Sequence, residues 1–242
     1  TEWNLSTNWT PAGVPTSADN AIIPASPTGG RFPTISATSG TVAVRDLTVA
    51  LGATVTQTGG TLQMNHDWKN SGTYNATGGT IQYSASGGGA ADYSLGTNNF
   101  FNVVIDAGVD PKFDNSAGSD VSVAGNFTNS NTGLNTGANA TFRFNGTGTQ
   151  TITSASTGAN TTFGNLVVNK VSGSAVLASI VHTAGTLTIT NGTFDLASFN
   201  SSAGAVTLTS GTIAGTTGIL TGTSYAVQSG TISAILAGAS AL

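Results

Sequence analysis

The sequence predicts an all-β protein, a parallel β-solenoid with about 19–20 residues per coil. A Gly followed by a hydroxyl-bearing residue and then by alternating apolar residues recurs at a nearly constant step. The motif begins at Gly173, Gly192, Gly211 and Gly230, which are equally spaced, and earlier at Gly40, Gly60 and Gly79, with nearly the same spacing. Short strands repeated with a period of about 20 residues are typical of solenoids.

The segments between these glycines have the two-residue period of strands. In Thr61-Leu62-Gln63-Met64, for example, polar and apolar residues alternate, and Gly or Asn interrupts every window of helical length. A hairpin meander would also use short strands, but it offers no reason for a constant step. A parallel coil must return to the same place one strand spacing higher, so Thr41, Thr61 and Thr80 should stack on one another.

The handedness rule for parallel crossovers favours a right-handed coil. We expect about ten or eleven coils, which at about 4.8 Å per strand make a rod of about 50 Å. A longer repeat, in which Thr80-Ile81-Gln82-Tyr83 corresponds to Thr141-Phe142-Arg143-Phe144, is interpreted as about three coils. The expected core comprises Val44, Leu47, Val49, Val55, Leu62, Ile81, Val104, Val121, Val123, Phe142, Phe144, Leu166, Val168, Val181, Leu187, Ile189, Leu196, Leu208 and Ile213.

Residues 1–35 differ from the rest, since they hold two of the three Trp residues and five of the six Pro residues. Pro is excluded from interior ladder positions, and the first coil of a solenoid needs an atypical cover. We therefore expect an N-terminal cap or junction segment over 1–35 and one elongated solenoid domain over 36–242. Trp3 and Trp9 could stack on carbohydrate, but plugging the end of the core is the favoured interpretation.

The composition excludes several classes of partner. Only 7% of residues are charged, against about 25% in an ordinary domain, so hydroxyls and amides make up the polar surface. The six Lys and Arg residues are scattered and form no basic stripe for nucleic acid. No run approaches the roughly 18 apolar residues of a membrane helix, and the absence of Cys excludes disulfides and thiolate sites.

Catalysis is not expected. Glycoside hydrolysis needs carboxylates close together, and Asp46, Asp67 and Asp106 fall near one stack. However, Arg45 and Lys69 are the only adjacent cations, and such sparse charge is unsuited to a cleft for acidic sugars. A polysaccharide-active β-helix enzyme is therefore kept only as the last alternative.

Cofactors and bound metals are not expected either. His66 and His182 are far apart in the sequence, and each is interpreted as a surface or ladder residue without metal-ligand neighbours. Asp106, Asp110 and Asp114 could suit Ca²⁺, but they lack the close ligand alternation of calcium loops, and a solvated turn is the favoured interpretation.

The sequence resembles the β-helical segments of large secreted bacterial surface proteins, both adhesin-like and autotransporter-passenger-like. The likeness is carried by the opening Asn8-Trp9…Pro15…Ile22-Ile23-Pro24, by coils such as 164–170 and 185–196, and by the ending at 230–238. It implies an exported, cell-surface or matrix role. The chain opens at Thr1 with no initiator Met and no signal peptide, and we expect a mature, processed extracellular chain.

These patterns favour a structural protein, a subunit of a self-assembling extracellular filament, fibre or layer. Copies would join head to tail, the N-terminal segment of one meeting the open last coil of another. The residues expected at this interface are Trp3, Trp9, Ile22, Ile23, Ile232, Ile235, Leu236 and Leu242. The alternative is an adhesin or glycan-binding rod that uses Trp3 and Trp9, or protruding loops expected at 84–99 and 154–163.

Overall fold

The computed structural model describes residues 1–84, 92–94, 96–111, 113, 119–155 and 161–238, and it confirms an all-β parallel β-solenoid. Three single-turn 3₁₀ helices lie near the N-terminus, at Ser6–Asn8, Thr28–Gly30 and Ala37–Ser39. The strands are β1 (Asn20–Ile23), β2 (Thr34–Ile35), β3 (Thr41–Val44), β4 (Asp46–Val49), β5 (Thr54–Met64), β6 (Trp68–Asn70), β7 (Thr73–Tyr83), β8 (Asp92–Ser94), β9 (Thr97–Phe100), β10 (Asn102–Ile105), β11 (Asp120–Val123), β12 (Phe127–Asn129), β13 (Thr141–Phe144), β14 (Gln150–Thr153), β15 (Thr161–Phe163), β16 (Asn165–Leu177), β17 (Val181–Thr183), β18 (Leu187–Asp195), β19 (Ser201–Leu208), β20 (Thr212–Ala214), β21 (Ile219–Val227), β22 (Thr231–Ile232) and β23 (Ile235–Gly238).

The described strands form three parallel ladders, and the longer strands bend from one ladder into the next. Ladder a runs from β2 through the first half of β5 to the second half of β21. Ladder b runs from β3 to β22. Ladder c runs from β1 to β8 and, further along the rod, from Asn135 to β23.

In ladder b the coil length agrees with the sequence period near the two ends of the rod and exceeds it in the middle. Thr41 pairs with Thr61 and Thr61 with Thr80, as predicted. In the middle, the Asn126 N–H group donates to the side chain of Asn102, 24 residues earlier. The described residues make about nine turns, fewer than the ten or eleven expected, because the middle coils are longer.

The motif Gly followed by a hydroxyl residue marks the corner at which the chain passes from ladder a to ladder b. Gly192 and Gly211 have φ values of 81° and 90°, in the left-handed region that favours glycine. A Cβ atom on Gly211 would also collide with the backbone oxygen of Gly192 in the preceding coil. The constant step of the motif therefore records the same tight corner in each coil that carries it.

The core is a column of apolar side chains between the three ladders. All but one of the predicted core residues are buried. The exception is Val104, which lies on the outer face, while its neighbours Val103 and Ile105 point inward with no exposed area. The run Val103-Val104-Ile105 is apolar at every position, so alternation could not show which face is buried.

Residues 1–19 cover the N-terminal end of this column. Trp3 is completely buried, and its ring packs edge-on against Trp9 with the centroids 4.8 Å apart. The Trp9 Nε1–H group donates a hydrogen bond of 2.8 Å to the Trp3 carbonyl oxygen. Trp3 thus belongs to the core, and Trp9 packs against it from outside. Strands begin inside the 1–35 segment, because β1 and β2 already pair with β4 and β5.

The two segments expected to protrude as loops are partly strand. Residues 97–99 belong to β9 and 161–163 to β15, and Asp92–Ser94 forms β8. Residues 85–91, 95 and 156–160 lie outside the described part of the chain. Among the described residues, none forms a helix long and apolar enough to span a membrane.

Candidate functional site

The last coil of the rod presents an apolar surface. Tyr225, Val227, Ile232 and Leu236 pair with Val206, Leu208, Ile213 and Leu220, whose side chains are buried in the core. In contrast, the four side chains of the last coil also face inward but remain partly exposed, and Val227 is 45% exposed. We call Tyr225, Val227, Ile232 and Leu236 the C-terminal end surface. Within the described residues, β22, β23 and the second half of β21 each pair on one side only.

The N-terminal end is covered over ladder a but offers strand edges in ladders b and c. The Trp3 N–H group donates to the Thr34 carbonyl oxygen at 2.8 Å, and Glu2 forms a parallel bridge to the same residue. In contrast, β3 pairs only with β5, and β1 pairs only with β4 among the strands described. The cap also carries exposed Leu5.

The predicted interface residues fall into different environments. Trp3 and Ile23 are buried in the core, so they cannot contact another copy directly. Trp9 is half-buried in the cap. Ile22 is 66% exposed and Ile235 52% exposed, and both lie on ladder c. Ile232 and Leu236 belong to the C-terminal end surface. Leu242 lies outside the described residues.

A polar groove of about 550 Å³ crosses several coils at the corner between ladders c and a. Asn99, Ser122 and Arg143 occupy successive rungs along one wall, at about 4.8 Å per rung. Asp120 lines the same groove, and neither its carboxylate nor the Arg143 guanidinium is engaged by another described side chain. The groove therefore offers one negatively charged hydrogen-bond acceptor, the Asp120 carboxylate, and one positively charged donor, the Arg143 guanidinium. We call it the polar groove.

The third feature is a cluster of charged side chains where two adjacent coils turn from ladder b into ladder c. The His66 Nδ1 atom lies 2.8 Å from Asp46 Oδ1 and 3.1 Å from Asp67 Oδ1. Arg45 lies 2.8 Å from the other oxygen of Asp46, and Lys69 lies 2.8 Å from the other oxygen of Asp67. The expectation that His66 has no metal-ligand neighbours is therefore wrong, since these two carboxylates could bind a cation together with it.

The Asp46 carboxylate is partly buried. Burial by itself raises the pKa of this group, but the Asp67 backbone N–H, the His66 side chain and the positive charge of Arg45 outweigh it, and the pKa is lowered overall. The backbone hydrogen bond from Asp67 N–H to Asp46 Oδ1 is 3.0 Å long. Asp46 is therefore held in its ionised form in the folded protein.

Asp106 does not join this cluster. Its carboxylate accepts hydrogen bonds from the Gln82 amide, at 2.9 Å and 3.1 Å, and from the Ser84 hydroxyl. Asp114, the last residue of the considered Ca²⁺ loop, lies outside the described residues. His182 contacts the Ser202 hydroxyl at 2.7 Å, and burial lowers its pKa.

Comparison with protein families, with curated proteins and with solved structures gives no match. The likeness to secreted bacterial surface proteins is thus supported as a fold, the parallel β-solenoid, and its functional part stays a hypothesis.

Proposed function

We propose that this protein is a structural rod, a subunit that joins head to tail with further copies into an extracellular filament, fibre or layer. The observation that supports the proposal is that the two ends of the rod expose unpaired strand edges in the same ladders. Ladders b and c each have an unpaired strand edge at the N-terminal end and another at the C-terminal end, with the same strand direction, among the strands described. Unpaired edges are templates for pairing with another chain.

The side-chain alternation at these edges is also compatible with continued stacking. If β22 of one copy pairs with β3 of the next, Ile232 comes next to Val42, and both point inward. If β23 instead pairs with β1, Leu236 comes next to Ala21 in the same way. Because β1 lies one coil before β3, a given junction forms one of these two pairings and not both. Such a contact is heterologous, so it propagates along the rod axis instead of closing.

The side surface of the rod favours this end-on mode over lateral association. Its outer rows consist mainly of hydroxyl and amide side chains, and large exposed apolar residues such as Leu51 and Val171 occur singly. The C-terminal end surface instead groups four apolar side chains that would each gain about 1–3 kcal/mol on complete burial. Association should therefore begin at the ends.

The test is electron microscopy and light scattering of the 242-residue chain as a function of concentration. Ile232→Asp should abolish polymerisation, because it places a charge in the end surface. The matched control is Val171→Asp, which changes an apolar residue that is 79% exposed on the side of the rod. It should polymerise normally, and circular dichroism should show both variants folded.

A mixing experiment determines the direction of the contact. Leu5→Asp should block the N-terminal end and leave the C-terminal end free. Mixed in equal amounts with Ile232→Asp, it should form dimers and nothing longer, because only one pair of competent ends remains. Single rods of the unmodified chain at every concentration, or equal polymerisation of Ile232→Asp, would overturn the proposal.

The polar groove favours a second candidate function, a glycan-binding rod. Its lining of amides, hydroxyls, one free carboxylate and one free guanidinium suits the hydroxyl groups of an oligosaccharide. Screening against immobilised glycans would detect such binding, and Arg143→Ala should abolish it while Arg31→Ala, an exposed residue of the N-terminal segment, should not. Equal binding by the two variants would exclude the groove.

A further inference from the structure

Three ligand atoms from two adjacent coils converge on one point at the corner between ladders b and c. They are Asp46 Oδ1, His66 Nδ1 and Asp67 Oδ1, and all three lie within 4.8 Å of one another. His66 follows Asp46 by 20 residues and Asp67 follows it by 21, about one coil at this corner, so both residues of the next coil lie beside the Asp46 carboxylate. The backbone hydrogen bond from Leu47 N–H to the Asp67 carbonyl oxygen, 2.9 Å long, holds the two coils together here.

The geometry is poorly explained by hydrogen bonding alone. The Nδ1 atom of an imidazole carries at most one hydrogen, yet it lies 2.8 Å and 3.1 Å from oxygens of two different carboxylates. One N–H group can point well at only one of these oxygens. A cation placed between the three atoms would interact favourably with both oxygens and with the nitrogen lone pair.

The neighbouring cations orient the carboxylates for this arrangement. Arg45 holds Asp46 Oδ2 and Lys69 holds Asp67 Oδ2, each at 2.8 Å, so both Oδ1 atoms are turned toward His66. The Asp67 backbone N–H further fixes Asp46 Oδ1. Partners of this kind, which bind the remaining atoms of ligating groups, set the ligand orientation in metal sites.

We propose that Asp46, His66 and Asp67 form a binding site for a divalent transition-metal ion of the Zn²⁺ type. One imidazole nitrogen with two carboxylate oxygens is a borderline donor set that Zn²⁺, Co²⁺ and Ni²⁺ accept, whereas Ca²⁺ and Mg²⁺ take oxygen ligands. The His66 side chain is 30% exposed, which leaves room for water as a further ligand. Arg45 and Lys69 offset the two carboxylate charges, so the site is a moderate binder.

The site has a structural consequence. Asp46 lies in the second coil and Asp67 in the third, so an ion bound to both would clamp two coils near the capped end. Because the ion binds the folded chain and not the unfolded one, it should raise the melting temperature in proportion to the logarithm of its concentration.

The experiment is calorimetric titration of the tag-free chain with ZnCl₂, together with melting curves in ZnCl₂ and in EDTA. We expect one ion per chain. His66→Ala and Asp46→Asn should each weaken binding at least about tenfold, a loss typical of disrupted metal sites. Asp46→Asn keeps an oxygen at the Oδ1 position for the Asp67 N–H, so it should fold.

The matched control is His182→Ala, which removes the chain's other histidine, whose Nδ1 atom faces the Ser202 hydroxyl. It should bind Zn²⁺ with unchanged affinity, and Co²⁺ in its place should give visible absorption that His66→Ala lacks. Absence of binding to the unmodified chain would show an ion-pair network only and overturn the proposal. Equal affinity of His66→Ala and His182→Ala would do the same.

Discussion

Lys170 gives a prediction about the pH dependence of stability. Its side chain is completely buried at the corner between ladders a and b. The ammonium group donates to the Gly146 carbonyl oxygen at 2.5 Å and to Gln150 Oε1 at 2.6 Å. None of the ion pairs in the described part of the chain includes it. Burial without a counter-charge lowers the pKa of Lys170 from 10.5 to about 8.

The sign of the effect follows from the protons bound in each state. Between about pH 8 and pH 10.5 the unfolded chain keeps the Lys170 proton and the folded chain has lost it. The free energy of unfolding therefore rises with pH across this window. At about 1.4 kcal/mol per pH unit, the full rise is about 3 kcal/mol. Below pH 8 Lys170 is charged in both states, so the cost of burying the charge lowers the free energy of unfolding by this full amount.

Urea unfolding monitored by Trp fluorescence at pH 7, 8, 9 and 10 measures this rise. Lys170→Met removes the titrating group and keeps the length of the side chain, while Lys170→Gln keeps a hydrogen-bond donor. The difference in unfolding free energy between the unmodified chain and either variant should change by about 2 kcal/mol or more up to pH 10. Parallel curves, or a difference that changes in the opposite direction, would refute the argument. Buried Tyr74, whose pKa is raised, lowers stability above pH 10 in all three proteins and so cancels in the comparison.

Two further predictions concern packing. Phe163 is fully buried with its ring centroid 5.2 Å from both Phe127 and Phe142, so Phe163→Ala should lower the unfolding free energy by about 3–5 kcal/mol. Phe101 is half-buried at the margin of the core, so Phe101→Ala should cost less. Gly164→Ala should cost about 1–3 kcal/mol, because its Cβ would collide with backbone oxygens of the preceding coil. Gly148→Ala, where a Cβ meets nothing within 4 Å, is the control. Equal melting temperatures within either pair of variants would contradict these assignments.

The repeat was predictable because the coils near both ends of the rod pass the same glycine corner. Thr193, Thr212 and Thr231 pair in successive rungs, as their equal spacing in the sequence indicates. A corner that requires glycine and an outward row that tolerates hydroxyls leave a strong signal in the sequence. The parallel solenoid follows from that signal.

The interpretation of the longer repeat as about three coils is wrong, because the repeat does not span a whole number of coils. Ile81 belongs to ladder b, and its ladder continues through Val103 and Phe127 to Ile152, three turns later. Phe142, which the repeat makes equivalent to Ile81, belongs instead to ladder a. Because the coils in this region are long, three turns reach beyond Phe142. The similarity between the two segments therefore reflects the same strand pattern on different ladders.

Buried polar residues at the corners were not predictable from alternation. Gln57 and Gln150 point into the corner between ladders a and b. The Gln57 amide donates to backbone oxygens of its own turn and of the next, and the Gln150 amide donates to backbone oxygens of the preceding turn. From the alternation pattern, a polar side chain next to Gly or Thr is predicted to be exposed. At a corner, however, buried backbone carbonyl oxygens need hydrogen-bond donors, and a buried amide side chain can supply them. For His66 a usable signal existed, since its separation of 20 residues from Asp46 is close to the local coil length of 20 to 21 residues.

The ends of the rod differ from its middle in a way that one further experiment can measure. The interior strands of ladders a and b pair on both sides, but β22 and β23 pair on one side only within the described residues. In single rods their amides should exchange rapidly with solvent, because local opening there breaks few apolar contacts. If copies join through this end, amides of β22 and β23 should become protected by at least about tenfold in the polymer, while those of β18 in mid-rod should change little. Hydrogen exchange with mass spectrometry on sedimented and soluble fractions gives both rates. Protection that rises equally in all coils would instead indicate lateral bundling, and no change at β22 and β23 would show that the last coil takes no part in assembly.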